Sequence, residues 1–211
     1  NAWKSDHDVA RVVLSEKISK FAAILSSWNS TRLNQDSLIW VVPKAGTVAF
    51  HNDNPYQDWH VPGKVITAWI PLEDTSIDGA TLEYLVGSHK FGSSKRINKF
   101  FTNKSYRFVS NFSLKNAEKF SRHFVVVKKG TVVFHHGDTW HGSGYNNTNK
   151  NRISLSIHFM NGKSKFHKKI KSPCFNHYKL INSDKMEETF FPITWSKFKK
   201  VKFKQQYLSK K

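Results

Sequence analysis

The sequence predicts a mainly β fold with flanking helices, built as a sandwich or barrel of the jelly-roll type. Two observations indicate this class. Short segments rich in Val, Ile, Phe, Trp and Thr recur along the 211 residues, and turn-forming sequences such as Pro62-Gly63 and Asp78-Gly79 separate them. The length is typical of one domain that needs no disulfide or metal to be stable.

The chain opens with a predicted helix. Residues 5–8 (SDHD) have the pattern of a capping box, in which Ser5 is the N-cap. Apolar residues then follow at spacings of three and four, which places them on one helical face. They are Leu14, Ile18, Phe21, Leu25 and Trp28. Residues 29–31 (NST) are expected to end this helix.

Beyond residue 31 the hydrophobic period changes to two, which is typical of strands. The expected strands are residues 38–42, 48–53, 65–72, 82–86, 124–127, 131–135 and 152–160. The last alternates most clearly, because Arg152 and Ser154 fall on a polar face and Ile153 and Leu155 on an apolar one.

Two stretches do not fit the strand pattern. Residues 92–122 are basic and aromatic and predict a long loop, alone or with a short helix; such loops often serve as lids or binding loops. The end of the chain is rich in Lys. We therefore predict one domain over residues 1–195, with an insertion at about 92–122, followed by a basic C-terminal tail over residues 196–211.

The charge of the chain is concentrated in two places. The chain has 34 Lys and Arg against 15 Asp and Glu, a net charge of +19. Residues 93–122 carry +7 and residues 161–211 carry +11, whereas residues 1–92 carry −2. Such segments can attract nucleic acid, anionic lipid or an anionic small molecule, and a Lys-rich solvated surface has the same pattern.

Cysteine content and hydropathy limit the possible locations. The chain has one cysteine, Cys174, which excludes an internal disulfide framework and a four-cysteine zinc site. One cysteine fits a reducing, intracellular compartment, and we expect a cytoplasmic location. No stretch approaches the roughly 18 apolar residues of a membrane span, so no membrane partner is expected. Nothing in the sequence fixes an oligomeric state.

A short motif at the end of the second predicted strand suggests a metal site. His51 and Asp53 are two positions apart, so both side chains can point to the same face and meet at one cation. Two His and one carboxylate are the ligands of non-haem Fe(II), with three coordination positions left open. A hydrogen-bonded structural pair is the alternative. The spacing leaves three candidates for the third ligand: His135, His136 and His141.

Arg152 opens the alternating strand on its polar face. If that face lines a barrel interior, the buried guanidinium needs an anionic partner to offset its desolvation. The carboxylate of a ligand, bound by both arms of the guanidinium, would supply one. An internal ion pair with Asp or Glu would do the same, and the sequence does not distinguish the two.

These motifs belong to a longer series over residues 1–195. The series comprises WKSD (3–6), FHNDN (50–54), VITAWIPLED (65–74), GATLEYLVGSHK (79–90), GTVVF (130–134), TWHGSG (139–144) with Asn147 and Arg152, and FFPITW (190–195). In order and spacing it resembles the phytanoyl-CoA dioxygenase family of Fe(II)/2-oxoglutarate oxygenases. That family usually has a longer N-terminal region, part of which this chain is expected to lack.

The resemblance implies a double-stranded β-helix and an oxygenase site. It assigns Fe(II) to His51, Asp53 and His141. It places 2-oxoglutarate at Arg152, with Ser143 and Trp69 as further contacts. The implied activity is a dioxygenase that uses O2 and 2-oxoglutarate to hydroxylate a small organic substrate, releasing succinate and CO2. An anionic small molecule is the expected substrate, because the insertion is basic.

Two other functions stay open as alternatives. The basic segments, with nearby aromatic side chains for stacking, would suit a nucleic-acid-binding protein. No zinc-finger, RNA-recognition or helix-turn-helix signature accompanies them, so nucleic acid is not favoured as the partner. The other alternative is a catalytically inactive oxygenase fold used for interaction.

Overall fold

The computed structural model describes residues 1–92, 94–97, 99–104, 106–109 and 121–203. It confirms a mainly β fold, with two helices near the start, α1 (His7–Val13) and α2 (Glu16–Leu25). The strands are β1 (Ser30–Val41), β2 (Val48–His51), β3 (His60–Val61), β4 (Val65–Pro71), β5 (Leu82–Leu85), β6 (Arg122–Phe124), β7 (Val133–His136), β8 (His141–Ser143), β9 (Arg152–Asn161), β10 (Lys165–Phe166) and β11 (Ile193–Ser196). Over the described ranges, no helix combines the length and the hydropathy needed to cross a membrane.

The N-terminal helical region consists of two helices, so the prediction of one helix capped by Ser5 is wrong. The N-cap of α1 is Asp6, whose carboxylate accepts a hydrogen bond from the Val9 amide at 2.9 Å. The hydroxyl of Ser15 then accepts from the Ile18 amide and starts α2. A second capping residue inside the periodic segment therefore divides it.

The buried face of α2 also differs from the predicted one. Phe21 and Leu25 are 49% and 59% exposed, although both lie on the apolar face read from the spacing. The residues that α2 buries are small: Ser19, Ala22 and Ala23. Small side chains let the helix backbone approach its neighbour closely, and the Thr31 hydroxyl donates a hydrogen bond to the Ser19 carbonyl at 3.3 Å.

Most of the predicted strands lie where the sequence pattern places them. Strands β2, β4, β5, β7 and β9 agree with the predictions to within two residues at each end. The first strand begins earlier than expected, at Ser30, because its start pairs with β11. The sixth strand ends at Phe124, where the predicted strand begins, since residues 122–124 pair with β5. Strands β3, β8, β10 and β11 were not predicted, and each has only two to four residues.

Three sheets result from these strands. One has five strands in the order β11-β1-β9-β4-β7, one has four in the order β2-β8-β5-β6, and β10 pairs with β3. In the four-stranded sheet, β2, β8, β5 and β6 pair antiparallel in succession. In this sheet, strands that are far apart in the sequence therefore lie next to each other.

The chain divides into two compact units. The first comprises Asn1–Ser37, Tyr56–Ala68 and Ser156–Lys211, and the second comprises Leu38–Pro55 and Trp69–Leu155. The first unit has an aromatic-rich core of Trp59, Val65, Met160, Phe166, Phe175, Met186 and Phe191. All the predicted site residues belong to the second unit. The predicted division at residue 195 stays a prediction.

Part of the predicted insertion packs within the second unit. Residues 103–104 and 106–109 are helical, in line with the prediction of a loop with a short helix. The Phe100 carbonyl accepts a hydrogen bond from the Ala49 amide at 2.6 Å, and the Tyr106 hydroxyl donates to Glu83 at 2.8 Å. Residues 93, 98, 105 and 110–120 lie outside the described residues, as do residues 204–211 of the predicted tail.

Candidate metal centre

Three side chains of the second unit meet at one point. His51 ends β2 and His141 begins β8, and the two are Cα partners in the antiparallel pair. Their rings lie 4.2 Å apart between centroids, and Oδ1 of Asp53 is 3.6 Å from Nε2 of His141. One ligand atom from each residue lies within 4.8 Å of the other two. The structure therefore brings together His51, Asp53 and His141.

The two histidines are held in the same way. Nδ1 of His51 lies 2.8 Å from the Ala49 carbonyl, and Nδ1 of His141 lies 2.9 Å from the Thr139 carbonyl. A carbonyl only accepts, so each Nδ1 carries the proton and each neutral ring keeps its lone pair on Nε2. Metal-binding histidines are typically fixed in this manner by a hydrogen bond from the second ring nitrogen.

Asp53 reaches the site from a loop. The predicted strand extends to Asp53, whereas β2 ends at His51. The amides of Asp53 and Asn54 both donate to the Gly137 carbonyl, at 2.8 and 2.9 Å. The side chain of Asn52 donates to the Asp138 carbonyl at 2.9 Å. These bonds attach the segment that carries Asp53 to the turn after β7. The segment is therefore a loop held by that turn, and not the strand continuation predicted from the sequence.

The other two candidate histidines have different environments. Nε2 of buried His135 lies 3.2 Å from Oδ2 of Asp53, and its Nδ1 lies 2.8 Å from the hydroxyl of Tyr84. His136 is half exposed, and its Nδ1 accepts a hydrogen bond from the Asp138 amide at 3.1 Å. Neither histidine belongs to the three-residue cluster. The structure therefore selects His141 from the three candidates that the sequence left open.

Arg152 is a buried cation whose hydrogen bonds go to neutral groups. Its Nε donates to the Ala80 carbonyl at 3.2 Å and its Nη1 to the Ser154 hydroxyl at 2.8 Å. Burial lowers the pKa of the guanidinium to about 10, and the charge of Glu73 partly opposes this shift. Within the part of the chain that the structure describes, no carboxylate forms an ion pair with Arg152. The internal ion pair considered from the sequence is therefore not formed there.

Trp69 and Ser143, the other two predicted contacts of the co-substrate, are also buried. The guanidinium carbon of Arg152 lies 5.9 Å from the ring centroid of Trp69, at the limit of a cation–π contact. Ser143 follows His141 by two positions on β8, so the two side chains share one face of the strand. All six predicted site residues thus lie in the second unit.

Two contributors to the site were not identified from the sequence. Tyr84 is the Cα partner of His141 on β5, and its ring is close to both His135 and His141. Burial raises the pKa of this phenol, and the charge of Asp53 raises it further. Phe100 packs edge-on against His51 at 4.8 Å. Each had a signal in the sequence that did not point to the site: Phe100 belongs to the basic, aromatic insertion, and Tyr84 belongs to the motif GATLEYLVGSHK (79–90).

A match to a family model shows the family of this chain. The model of the phytanoyl-CoA dioxygenase (PhyH) family matches residues 3–154. The chain belongs to this family, as the sequence motifs predicted.

Curated relatives agree with this assignment. The chain is 29% identical over 153 residues to phytanoyl-CoA dioxygenase domain-containing protein 1 of Danio rerio, covering 71% of this chain and 52% of that protein. It is 31% identical over 113 residues to the peroxisomal phytanoyl-CoA dioxygenase of Homo sapiens, covering 52% of this chain and 32% of that protein. The chain spans about half the length, or less, of the curated relatives it matches.

Solved structures confirm the jelly-roll class of the fold. The epimerase SnoN, solved in complex with Fe3+, α-ketoglutarate and nogalamycin RO, has a TM-score of 0.73 at 20% identity, covering 92% of this chain and 76% of SnoN. The non-heme α-ketoglutarate-dependent carbocyclase SnoK has a TM-score of 0.69 at 22% identity, covering 91% and 73%. At these identities the likeness concerns the fold.

Proposed function

We propose that this protein is an Fe(II)- and 2-oxoglutarate-dependent dioxygenase. In this proposal it uses O2 to hydroxylate a small organic substrate and releases succinate and CO2. The observation that carries the proposal is the cluster of His51, Asp53 and His141, whose donor set is the one preferred by non-haem Fe(II). Family membership supports the same activity.

The residues present fit both groups. The two Nε2 lone pairs and the carboxylate are the donors that Fe(II) needs, and binding through these three would leave three coordination positions open. Buried Arg152 has neutral hydrogen-bond partners, so a carboxylate of 2-oxoglutarate would supply the missing counter-charge. Ser143 and Trp69 are the further proposed contacts of the co-substrate.

The protein's part in the reaction is to bind, orient and shield. When bound, Fe(II) with 2-oxoglutarate supplies the activation of O2 and the oxidation of a C–H bond. The backbone carbonyls keep both imidazoles oriented before metal binds, and Asp53 supplies a negative charge. Arg152 orients the co-substrate from its far end. Phe100 covers one side of His51 and reduces the access of water there.

The substrate we propose is a small anionic molecule. The support is the basic insertion, of which Arg96 is near the site. Its Nε donates to the carbonyl of Pro55 at 2.7 Å, two residues beyond Asp53. A guanidinium at this position would attract a negatively charged group of a substrate.

Metal binding tests the assignment of ligands. We expect His51→Ala, Asp53→Ala and His141→Ala each to reduce Mn(II) affinity by more than the roughly 10- to 100-fold typical of losing an outer hydrogen-bond partner. His136→Ala is the matched control, because this half-exposed histidine lies outside the cluster. Isothermal titration measures all four. Wild-type affinity in His141→Ala would move the third ligand elsewhere.

Turnover separates an enzyme from an inactive fold. We expect the iron-loaded protein to convert 2-oxoglutarate to succinate under air, and His141→Ala to lose this conversion. Binding of Mn(II) and 2-oxoglutarate without any succinate, even across a broad set of small anionic molecules, would favour the interaction role instead.

A further inference from the structure

A line of three hydrogen-bonded side chains, one half-buried and two buried, runs from β5 to the candidate metal site. The hydroxyl of Tyr84 lies 2.8 Å from Nδ1 of His135, and Nε2 of His135 lies 3.2 Å from Oδ2 of Asp53. The side chains of His135 and Asp53 are 4% and 9% exposed. This arrangement has no assigned role in the function proposed above.

The direction of each hydrogen bond follows from elementary chemistry. The Asp53 carboxylate only accepts, so Nε2 of His135 must carry the proton that faces Oδ2. In a neutral ring Nδ1 is then the acceptor, and the phenol of Tyr84 donates to it. With its Nε2 protonated, His135 has no lone pair to offer a metal on that side. The same bond keeps Oδ2 of Asp53 turned towards His135, while Oδ1 is the oxygen that lies 3.6 Å from Nε2 of His141.

We propose that His135, oriented by Tyr84, is a positioning residue that makes Asp53 bind the metal through Oδ1 alone. This inference rests on the proposed function. A carboxylate can bind with one oxygen or with both. If two histidines and one oxygen bound an octahedral metal, three of its six positions would stay open, and a second carboxylate oxygen would occupy one of them. His135 therefore keeps room for the two-point binding of 2-oxoglutarate.

The test removes this line of hydrogen bonds without touching a metal ligand. Tyr84→Phe deletes only the hydroxyl, and His135→Leu deletes both hydrogen bonds. His135→Gln keeps an amide donor that can reach Asp53. Tyr106→Phe is the matched control, because its hydroxyl donates to another buried carboxylate of the same unit, Glu83, at the same 2.8 Å.

Two titrations read out the effect independently of turnover. One measures Mn(II) affinity, and the other measures 2-oxoglutarate affinity in excess Mn(II). We expect Tyr84→Phe and His135→Leu to lower 2-oxoglutarate affinity, because a second carboxylate oxygen on the metal would compete for a position that the co-substrate needs. We expect a loss of about 10-fold or more, the size that losing an outer hydrogen-bond partner has for metal affinity or activity. The loss of Mn(II) affinity should be smaller, since a freed Oδ2 can bind the metal. His135→Gln should restore most of the 2-oxoglutarate affinity, and Tyr106→Phe should match wild type.

If Tyr84 and His135 had a purely structural role, the variants would be less stable, and the affinities for Mn(II) and 2-oxoglutarate would not change by different amounts. Wild-type 2-oxoglutarate affinity in folded Tyr84→Phe and His135→Leu would overturn the inference, as would equal losses of both affinities. If His135→Leu does not fold, Tyr84→Phe alone decides. Failure of the wild-type protein to bind Mn(II) would instead overturn the proposed function, so the two failures are distinguishable.

Discussion

At the scale of single residues, Arg152 is the group with the most specific consequence. Its guanidinium is buried and donates to Ala80 and Ser154, and no carboxylate among the described residues pairs with it directly, although the charge of Glu73 favours its charged form. We expect Arg152→Gln to cost roughly 2–5 kcal/mol of 2-oxoglutarate binding, because the buried carboxylate loses its partner. That is about a thirtyfold or larger loss of affinity.

Titration with 2-oxoglutarate in excess Mn(II) measures this loss, and Mn(II) affinity itself should not change. Arg122→Gln is the control, since Arg122 is a partly buried arginine of the same unit that faces Glu83. Equal 2-oxoglutarate affinity in wild type and Arg152→Gln would remove Arg152 from the site.

His60 in the first unit makes stability depend on pH. Burial lowers its pKa from 6.5 to about 4. Between these values the unfolded chain binds more protons than the folded one, so stability falls as pH drops from about 6.5 towards 4. The shift corresponds to at most about 3 kcal/mol.

Urea unfolding at pH 7 and pH 5 measures this contribution. We expect His60→Gln to lose less stability between the two pH values than wild type, whatever its stability at pH 7. His177→Gln is the control, because His177 is an exposed histidine of the same unit, and this variant should keep the wild-type dependence. An equal pH dependence in wild type and His60→Gln would show that the imidazole does not titrate in this window.

The types of ligand could be predicted from the sequence, but the choice among histidines could not. A His and an Asp two positions apart at the end of a predicted strand can be recognised in the sequence. Whether His135 or His141 completes the cluster depends on where the folded strands place and orient each ring. That follows from contacts with Tyr84 and Thr139, which only the folded chain brings into place.

At the scale of elements, the cap of α1 tests how the chain enters its first helix. The Asp6 carboxylate accepts from the Val9 amide, whereas Ser5 lies before the helix. We expect Asp6→Ala to lower the free energy of unfolding by about 1 kcal/mol, typical of a lost N-cap. Ser5→Ala should change it by less than half as much. Urea unfolding of both variants measures the difference, and the reverse order would restore the capping box read from the sequence.

Pattern length helps to explain which elements could be predicted, although the four-residue strands β2 and β5 were also found from the sequence. β4 and β9 have seven and ten residues, enough for alternation or apolar content to stand out. β8 has three residues and β10 has two, and both form because a partner strand is available. The incorrect prediction of the buried face of α2 has a related cause. This helix packs closely against its neighbours through small residues, and a hydrophobic pattern alone does not indicate such packing.

At the scale of the whole molecule, the net charge of +19 invites the nucleic-acid alternative. We expect oligonucleotide binding to be weak and to disappear at moderate salt, because exposed lysines without a base-reading motif supply only counter-ion release. Fluorescence anisotropy at two salt concentrations measures it. Removing residues 197–211, which follow the end of β11, deletes seven lysines. Submicromolar binding at physiological salt that this truncation abolishes would revive the alternative.

The pairing of β2 with β8 has a consequence for the conformational entropy of the whole chain. His51 and His141 lie 90 positions apart in the chain, yet they are neighbours across two strands. An ion bound to both acts as a reversible cross-link that closes a very long loop. Such a link restricts the unfolded chain far more than one between nearby residues would, and the entropy it removes grows with the logarithm of loop length. The ion that serves the chemistry would thus also fasten two distant parts of the chain.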